Sequence, residues 1–364
     1  MPCAWLWECA RLVTRCLTCL STVSYRATFL WFRENAMIRF DALMFRTTML
    51  VGLVLACQCA RAGSSGDLPM QRRAAVVDEQ GDMSPATLPA DIRVVRDVAY
   101  GSDANQRFDV YAPAHAQNAP VILMVHGGGW RIGDKAARGV IENKVARWVP
   151  RGFIVISTNY RLLPSAVPLQ QAQDVAAALV AAQNQVSSWG GDRHKFILMG
   201  HSSGAHLVAL IAAEPSIAIR QGATPWLGTI ALDSAALDVV QIMQSPHFPL
   251  YDKAFGSDAT AWTAASPFQQ LSAAGAPFLG VCSSLRKDSC PQAHQFVDKA
   301  VSLGTRAQVL EQPLTHMQIN QQLGTTSDYT IQVEAFMRGL DPAVARLLDD
   351  GYRQVAALPV VISR

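Results

Sequence analysis

Charge is scarce in this chain: Asp, Glu, Lys and Arg together make up 16% of its 364 residues. What charge there is falls unevenly. Residues 1–62 hold seven Arg and no Lys against Glu8, Glu34 and Asp41, a net of +4 in a chain of net +3, so the remaining 302 residues carry −1. A near-neutral body without a Lys/Arg stripe excludes nucleic acid as a partner, because phosphate-backbone binding needs a concentrated positive face. Cysteine is as scarce beyond residue 59, where only Cys282 and Cys290 remain. With no C-x-x-C and no adjacent His pair they offer too few ligands for zinc, and no metal is expected. The apolar run 49–56 is too short to span a bilayer, so no integral membrane span is expected in the mature chain. What the sequence does have is 50% hydrophobic residues, enough for a sizeable core, and this excludes general disorder.

The first 62 residues read as a targeting segment. Six of the eight cysteines (Cys3, Cys9, Cys16, Cys19, Cys57, Cys59) lie there. Arg46 precedes the apolar run 49–56, and Ala60-Arg61-Ala62 has the small-x-small form of a signal-peptidase site, which predicts cleavage after Ala62 and export. Met37 or Met44 would make a conventional signal-peptide start. Two alternatives stand beside this: a buried core strand at 49–56, and lipoprotein acylation at Cys57 in Val54-Leu55-Ala56-Cys57. Residues 63–90 mix Gly, Ser, Pro and charge without periodicity and read as a flexible lead-in.

From about Ile92 the pattern alternates between strand and helix. Residues 92–100 and 106–111 read as an opening antiparallel pair. Short β-branched runs of the fully buried kind follow at 121–125 (VILMV), 153–158 (FIVIST), 196–199 (FILM), 229–232 (TIAL), 278–282 (FLGVC) and 307–310 (AQVL). Helices are predicted between them, including 169–185, 203–213 and 292–303. This predicts an α/β fold over 91–364, a mostly parallel central sheet with helices on both faces. Residues 233–275, with Pro246, Phe248, Pro249, Tyr251, Trp262 and Phe268, form a long insertion: either a lid or pocket wall, or an ordinary surface excursion.

Two motifs carry chemistry. Gly200-His201-Ser202-Ser203-Gly204 follows the run 196–199 directly and opens a helix, the strand–turn–helix setting in which G-x-S-x-G presents a serine hydroxyl at a helix N-terminus. His126-Gly127-Gly128-Gly129-Trp130 follows the run 121–125. Composition arithmetic gives roughly 0.002 chance occurrences of H-G-G-G against roughly 0.1 of G-x-S-x-G, so the glycine run is the more specific signal. A tetrahedral intermediate develops an alkoxide that needs preorganised donors, which predicts an oxyanion hole from the amides of Gly127, Gly128 and Gly129 with that of Ser203. A phosphate-binding loop is the competing idea, but G-x-G-x-x-G and a following Lys-Ser/Thr are both missing. His126 is expected to shape the loop, and Trp130 either to wall the scissile bond or to pack in the core.

These residues resemble the α/β-hydrolase superfamily, within it the H-G-G-G esterase/lipase group that includes carboxylesterases, hormone-sensitive-lipase-like esterases and kynurenine-formamidase-like enzymes. The resemblance covers roughly 92–340, and Asn159-Tyr160-Arg161-Leu162-Leu163-Pro164 looks like the group's N-Y-R-L-x-P segment. It implies an order of nucleophile, acid, histidine, with the acid after the run 278–282 and the histidine after the last strand. For the histidine, His316 is chosen, six residues past the run 307–310, over His294, which falls inside a predicted helix. His194, His201, His206 and His247 read as surface or structural. The group's H-G-x-x-D is absent after 278–282; Asp288, the only carboxylate between Leu271 and Asp298, is chosen as the acid, with Asp258 and Asp298 as alternatives.

Cys282 and Cys290 bracket Asp288, and in an exported protein their short separation predicts a disulfide that pins the acid loop; two unpaired buried thiols are the alternative. The resulting expectation is a secreted serine hydrolase acting on a small-molecule carboxylic ester through Ser202, His316 and Asp288, with no cofactor. An arylformamidase or other amidase using the same residues is one alternative, and a catalytically silent binding module on the same fold is another.

Overall fold

The computed structural model describes residues 87–89 and 91–356; the targeting segment expected over 1–62, the acylation alternative at Cys57 and nearly all of the lead-in expected over 63–90 lie outside the described residues. Eight strands form one sheet: β1 (Ile92–Ala99), β2 (Arg107–Pro113), β3 (Ala119–Val125), β4 (Ile154–Thr158), β5 (Gly191–His201), β6 (Gly228–Leu232), β7 (Phe278–Ser283) and β8 (Ala307–Gln312). Their order is β1-β2-β4-β3-β5-β6-β7-β8, antiparallel from β1 through β2 to β4 and parallel elsewhere. The helices are α1 (Arg138–Trp148), α2 (Pro168–Gln185), α3 (Ser203–Ala213), α4 (Ser216–Ile219), α5 (Val239–Met243), α6 (Pro249–Phe255), α7 (Ala259–Ala264), α8 (Pro267–Gln270), α9 (Ser289–Ser302), α10 (His316–Gln321), α11 (Asp328–Arg338) and α12 (Pro342–Ala356).

The central strands are buried on both faces, and the period of two divides their side chains between two cores. Val121, Leu123 and Val125 of β3, with Phe196 and Leu198 of β5, pack against Leu179 of α2 and Leu207 and Ile211 of α3. Ile122 and Met124, with Ile197 and Met199, face the opposite way, onto Trp148 of α1, Ile319 of α10 and Met337 of α11. Helix α2 begins where Pro168 occupies the first position and the Gln170 side chain accepts the Val167 amide. Cys282, at the end of β7, is disulfide-bonded to Cys290 in α9. Among the described residues no helix is long and apolar enough to cross a membrane.

The insertion 233–275 folds into four short helices. Asp238, Asp258 and Ser266 cap three of them through their side chains. Val239, Ala254, Phe255 and Ala265 are buried in the core with α2 and α3, whereas α7 has no buried residue.

Candidate active site

From β3 the chain runs next to β4 on one side of the sheet, whereas the strand on the other side of β3 is β5, from which the chain continues outward to β6. The connections after β3 and β5 therefore leave the same end of neighbouring strands in opposite directions, and a crevice opens between them. Both sequence motifs sit there. Ser202 caps α3 with φ 54° and ψ −119°, a left-side backbone conformation that a serine adopts only when its surroundings enforce it. They do so on both sides. The Ser202 amide donates to the Leu232 carbonyl at 2.9 Å, and a Cβ on Gly204 would lie 2.4 Å from the carbonyl oxygens of Val125 and His126. Helix α3 thus starts pressed against the end of β3, which only glycine at 204 permits.

The glycine run is pressed against the same turn. A Cβ on Gly127 would meet the Ser202 Cβ at 2.8 Å. Gly128 has φ 121°, and its carbonyl accepts the Arg131 and Ile132 amides at 3.2 and 3.1 Å. His126 is buried, its Nδ1 proton donated to the Gly127 carbonyl at 2.8 Å and its ring stacked on Tyr160 at 4.5 Å. Burial pushes its pKa down, so the ring is neutral and holds the loop from below. The Asn159–Pro164 segment supplies the rest of the scaffold. Tyr160 Oη donates to the His126 carbonyl at 3.0 Å, Asn159 Oδ1 accepts the Lys135 amide at 2.6 Å, and Arg161 forms a two-pronged pair with Asp174.

Facing the serine is His316, the first residue of α10. Thr315 and Gln318 close a capping box around it: the Thr315 side chain accepts the Gln318 amide and the Gln318 side chain accepts the Thr315 amide. His316 Nε2 lies 2.9 Å from Ser202 Oγ, and Nδ1 donates to Asp233 Oδ2 at 2.6 Å. His201 lies over the same ring at 4.5 Å and donates from Nε2 to the His316 carbonyl at 3.0 Å. Burial first, and the neighbouring His316 second, push the His201 pKa well down, which fits that neutral donor.

Asp233 is fully buried at the end of β6. Oδ1 accepts the Ser283 amide at 2.7 Å and the Ser289 hydroxyl; Oδ2 accepts Arg286 Nη1 at 2.9 Å besides His316. Burial by itself would raise its pKa. The hydrogen bond and charge of His316, the charge of Arg286 and the Ser289 hydroxyl outweigh that and hold the carboxyl far below the usual carboxylate range. The arrangement comprises a hydroxyl, an imidazole that can take its proton, and a carboxylate that fixes the imidazole tautomer.

A family model described as BD-FAE matches residues 108–222. The chain is 32% identical over 131 residues to a probable isoprenylcysteine alpha-carbonyl methylesterase of Oryza sativa subsp. japonica, covering 36% of this chain and 31% of that protein. It is 34% identical over 117 residues to Esterase LipC of Mycobacterium tuberculosis (32% and 28% covered) and 28% identical over 120 residues to a kynurenine formamidase of Danio rerio (33% and 39%). It spans well under half the length of these curated relatives. In structure it matches Esterase B from Lactobacillus rhamnosis with a TM-score of 0.57 at 19% identity, over 78% of this chain and 95% of that one.

The chain has the α/β-hydrolase fold.

On this fold the structure brings Ser202 and His316 together but does not bring Asp288 to them. Asp288 stands before the first turn of α9, half-exposed, and its nearest charged partner is Arg286 Nη2 at 3.6 Å. Asp258 caps α7, and Asp298 lies within α9. The carboxylate that meets His316 is thus not one from after β7 but Asp233 after β6, one strand closer to β5. The physical reason lies around the loop after β7: Ser283 at the end of β7, Arg286 in the loop and Ser289 at the start of α9 all donate to Asp233. A signal was present in the sequence, since Asp233 directly follows the buried run 229–232 at the carboxyl end of a sheet strand, where site residues collect. The Cys282–Cys290 bond closes this donor loop rather than an acid loop. His294 pairs with Glu311 on the surface at 2.8 Å, away from Ser202.

Trp130 packs inward, with φ 60°. Its indole donates to His206 Nδ1 at 3.2 Å and meets Phe255 edge-on at 5.0 Å. His206 in turn donates from Nε2 to the Ala265 carbonyl at 2.7 Å, and burial holds its pKa down at about 4, consistent with the neutral tautomer both bonds require. The glycine loop, α3 and the insertion are joined through this pair. Among the described residues no group of three or more His, Cys, Asp and Glu is arranged to hold a metal ion.

Proposed function

We propose that the chain is a serine esterase cleaving carboxylic esters through an acyl-enzyme, with Ser202 as nucleophile, His316 as general base and acid, and Asp233 as the acid of the triad. The observation that carries this reading is the line from Ser202 Oγ to His316 Nε2 at 2.9 Å and from Nδ1 to Asp233 Oδ2 at 2.6 Å, set beside the glycine run. Ser202 Oγ attacks the ester carbonyl as its proton passes to His316 Nε2. The carbonyl oxygen becomes an alkoxide facing the amides of Gly128, Gly129 and Ser203, with Gly127 alongside, at the positive end of α3. Collapse expels the alcohol, which takes the proton from Nε2. Water then repeats the sequence against the acyl-serine and releases the carboxylic acid. The names of the relatives, methylesterase and esterase, support an ester substrate of small-molecule size. The disulfide supports an oxidising compartment and so export.

The likeness to a kynurenine formamidase favours one second reading, hydrolysis of an aryl formamide by the same residues. A panel of p-nitrophenyl esters of increasing acyl length, run beside N-formylkynurenine, separates the two by the ratio of kcat/KM. Ser202→Ala is expected to abolish hydrolysis and fluorophosphonate labelling while leaving the fold intact, because alanine at 202 adds no bulk. Labelling of that variant at the wild-type rate would show the nucleophile to lie elsewhere.

A further inference from the structure

The loop after β7 is where the superfamily resemblance puts an acid, and here the residue of that loop that reaches His316 is Arg286 rather than Asp288. Arg286 Nη1 donates to Asp233 Oδ2 at 2.9 Å and lies 2.8 Å from His316 Nδ1. Nδ1 already directs its proton at the same Oδ2, so the approach of the guanidinium to the ring is a permanent positive charge beside a second donor, not a hydrogen bond between them. A triad whose acid is held only by neutral donors lets the imidazolium form against an undivided carboxylate. Here the carboxylate is shared.

We propose that Arg286 is a positioning residue of the Asp233–His316 pair, fixing the ionised carboxylate in place and setting by its charge the pH range over which His316 accepts the Ser202 proton; the inference rests on the triad reading above.

The surroundings make the role specific. The segment leading into Arg286 is tied to the chain just before His316: Ser283 Oγ donates to the Leu314 carbonyl at 2.6 Å, two residues before His316, and the Ser284 amide donates to the Gln312 carbonyl at 2.9 Å. Cys282 and Cys290 close the loop at its base. The guanidinium is therefore held relative to the histidine segment as well as to the acid. On its outer side it faces the half-exposed Asp288, 3.6 Å away. The other titratable groups facing the pair are few. His201 lies over the His316 ring from the end of β5, with the buried Lys144 of α1 behind it; Tyr329 approaches Asp233 from α11, and Tyr251 approaches Arg286 from α6. Of these, Arg286 alone is a cation touching both members of the pair. As His316 takes up the serine proton its positive charge forms against that cation, and the repulsion offsets part of the attraction of Asp233. Removing the guanidinium removes the repulsion and the anchor together, and the two losses appear in different measurements.

The test is the pH profile of kcat/KM for a soluble short-chain ester, read by product chromatography so that detection is independent of pH, on the wild-type protein and Arg286→Met, Arg286→Gln and Arg286→Lys. Both neutral variants are expected to move the acidic limb upward by about one pH unit, with kcat down about tenfold and KM within about twofold. The lysine variant is expected to return the limb to within about 0.3 unit of wild type. Arg286→Gln keeps a donor toward Asp233 and decides the matter should the methionine variant not fold. A limb unmoved in the neutral variants overturns the proposal, whatever happens to kcat, because a purely structural arginine changes rate without changing the profile. A lysine variant that tracks the neutral ones overturns it too. Either result leaves Ser202-dependent hydrolysis standing, whereas hydrolysis retained in Ser202→Ala would overturn the triad reading itself.

Discussion

The two sides of the crevice are built by different means. On the serine side, the elbow at Ser202 and the glycine run at 127–129 are backbone constructions, set by strands β3 and β5 lying side by side and by glycines where a Cβ would strike a carbonyl. On the acid side, Asp233, Arg286, Ser283, Ser289 and His316 are side chains and amides gathered from three separate segments of the chain. The family match at 108–222 covers the first side and stops before the second. Backbone constructions need short contiguous motifs. A side-chain cradle can be assembled from any strand end close enough, so the acid can migrate from one strand to its neighbour while the serine cannot.

The largest expected effect tests which carboxylate the cradle serves. Asp233→Asn is expected to lower kcat by about four orders of magnitude, since an amide favours the wrong imidazole tautomer. Asp288→Asn, at a half-exposed side chain 3.6 Å from Arg286, is expected to stay within about twofold of wild type. The reverse ranking, measured by kcat on one ester, would return the acid to the loop after β7. Stability should separate the same two positions. Because the Asp233 carboxyl is held below the usual range in the folded state, its contribution is fully present above the unfolded-state value near 4 and is lost as pH falls through the folded one. The midpoint of denaturant unfolding should therefore decline more steeply below about pH 4 in wild type than in Asp233→Asn.

Next in size is a break on the serine side. Gly128→Ala places a methyl 2.1 Å from the Ile132 carbonyl oxygen at a φ of 121°. The loop must shift, and the donors aimed at the alkoxide shift with it. The expected loss is about 10²-fold in kcat with KM little changed, the size of losing one oxyanion donor. A fall in KM-dependent binding alone would indicate that the loop holds substrate rather than the developing charge.

The fold was legible because its signals are local. The buried runs at 121–125, 229–232 and 278–282 became β3, β6 and β7, and helix 203–213 appeared as α3 (Ser203–Ala213). The turn at Ser202 and the glycine run at 127–129 are contiguous motifs, visible in the sequence for the same reason, and the place of His316 after the last strand is what carries it to Ser202. Asp233 could not be chosen over Asp288, because the deciding facts are pairings between residues about fifty positions apart: Ser283 to Asp233, Arg286 to Asp233, Ser289 to Asp233. Nor could the inward turn of Trp130 onto His206, 76 positions later, be read from a residue that follows three glycines.

The smallest expected effect concerns the link that holds the acid side together. Cys282 is the last residue but one of β7 and Cys290 lies in the first turn of α9, so their bond closes a loop of about nine residues, for which the chain-entropy model gives about 2–3 kcal/mol of stabilisation. Within that loop lie Ser283, Arg286 and Ser289, all three donors to Asp233. Cys290→Ser is expected to lower the free energy of unfolding by about that amount and kcat by only a few-fold, because β7 and α9 remain packed through Phe278, Phe296 and Val297 and keep the donors near their places. What distinguishes a loosened cradle from a merely less stable protein is the substrate-independence of the loss: the same fractional fall in kcat should appear for short and long acyl chains, at a temperature well below the unfolding midpoint. A change confined to KM, or one that varies with acyl length, would assign the bond to the substrate side of the crevice instead.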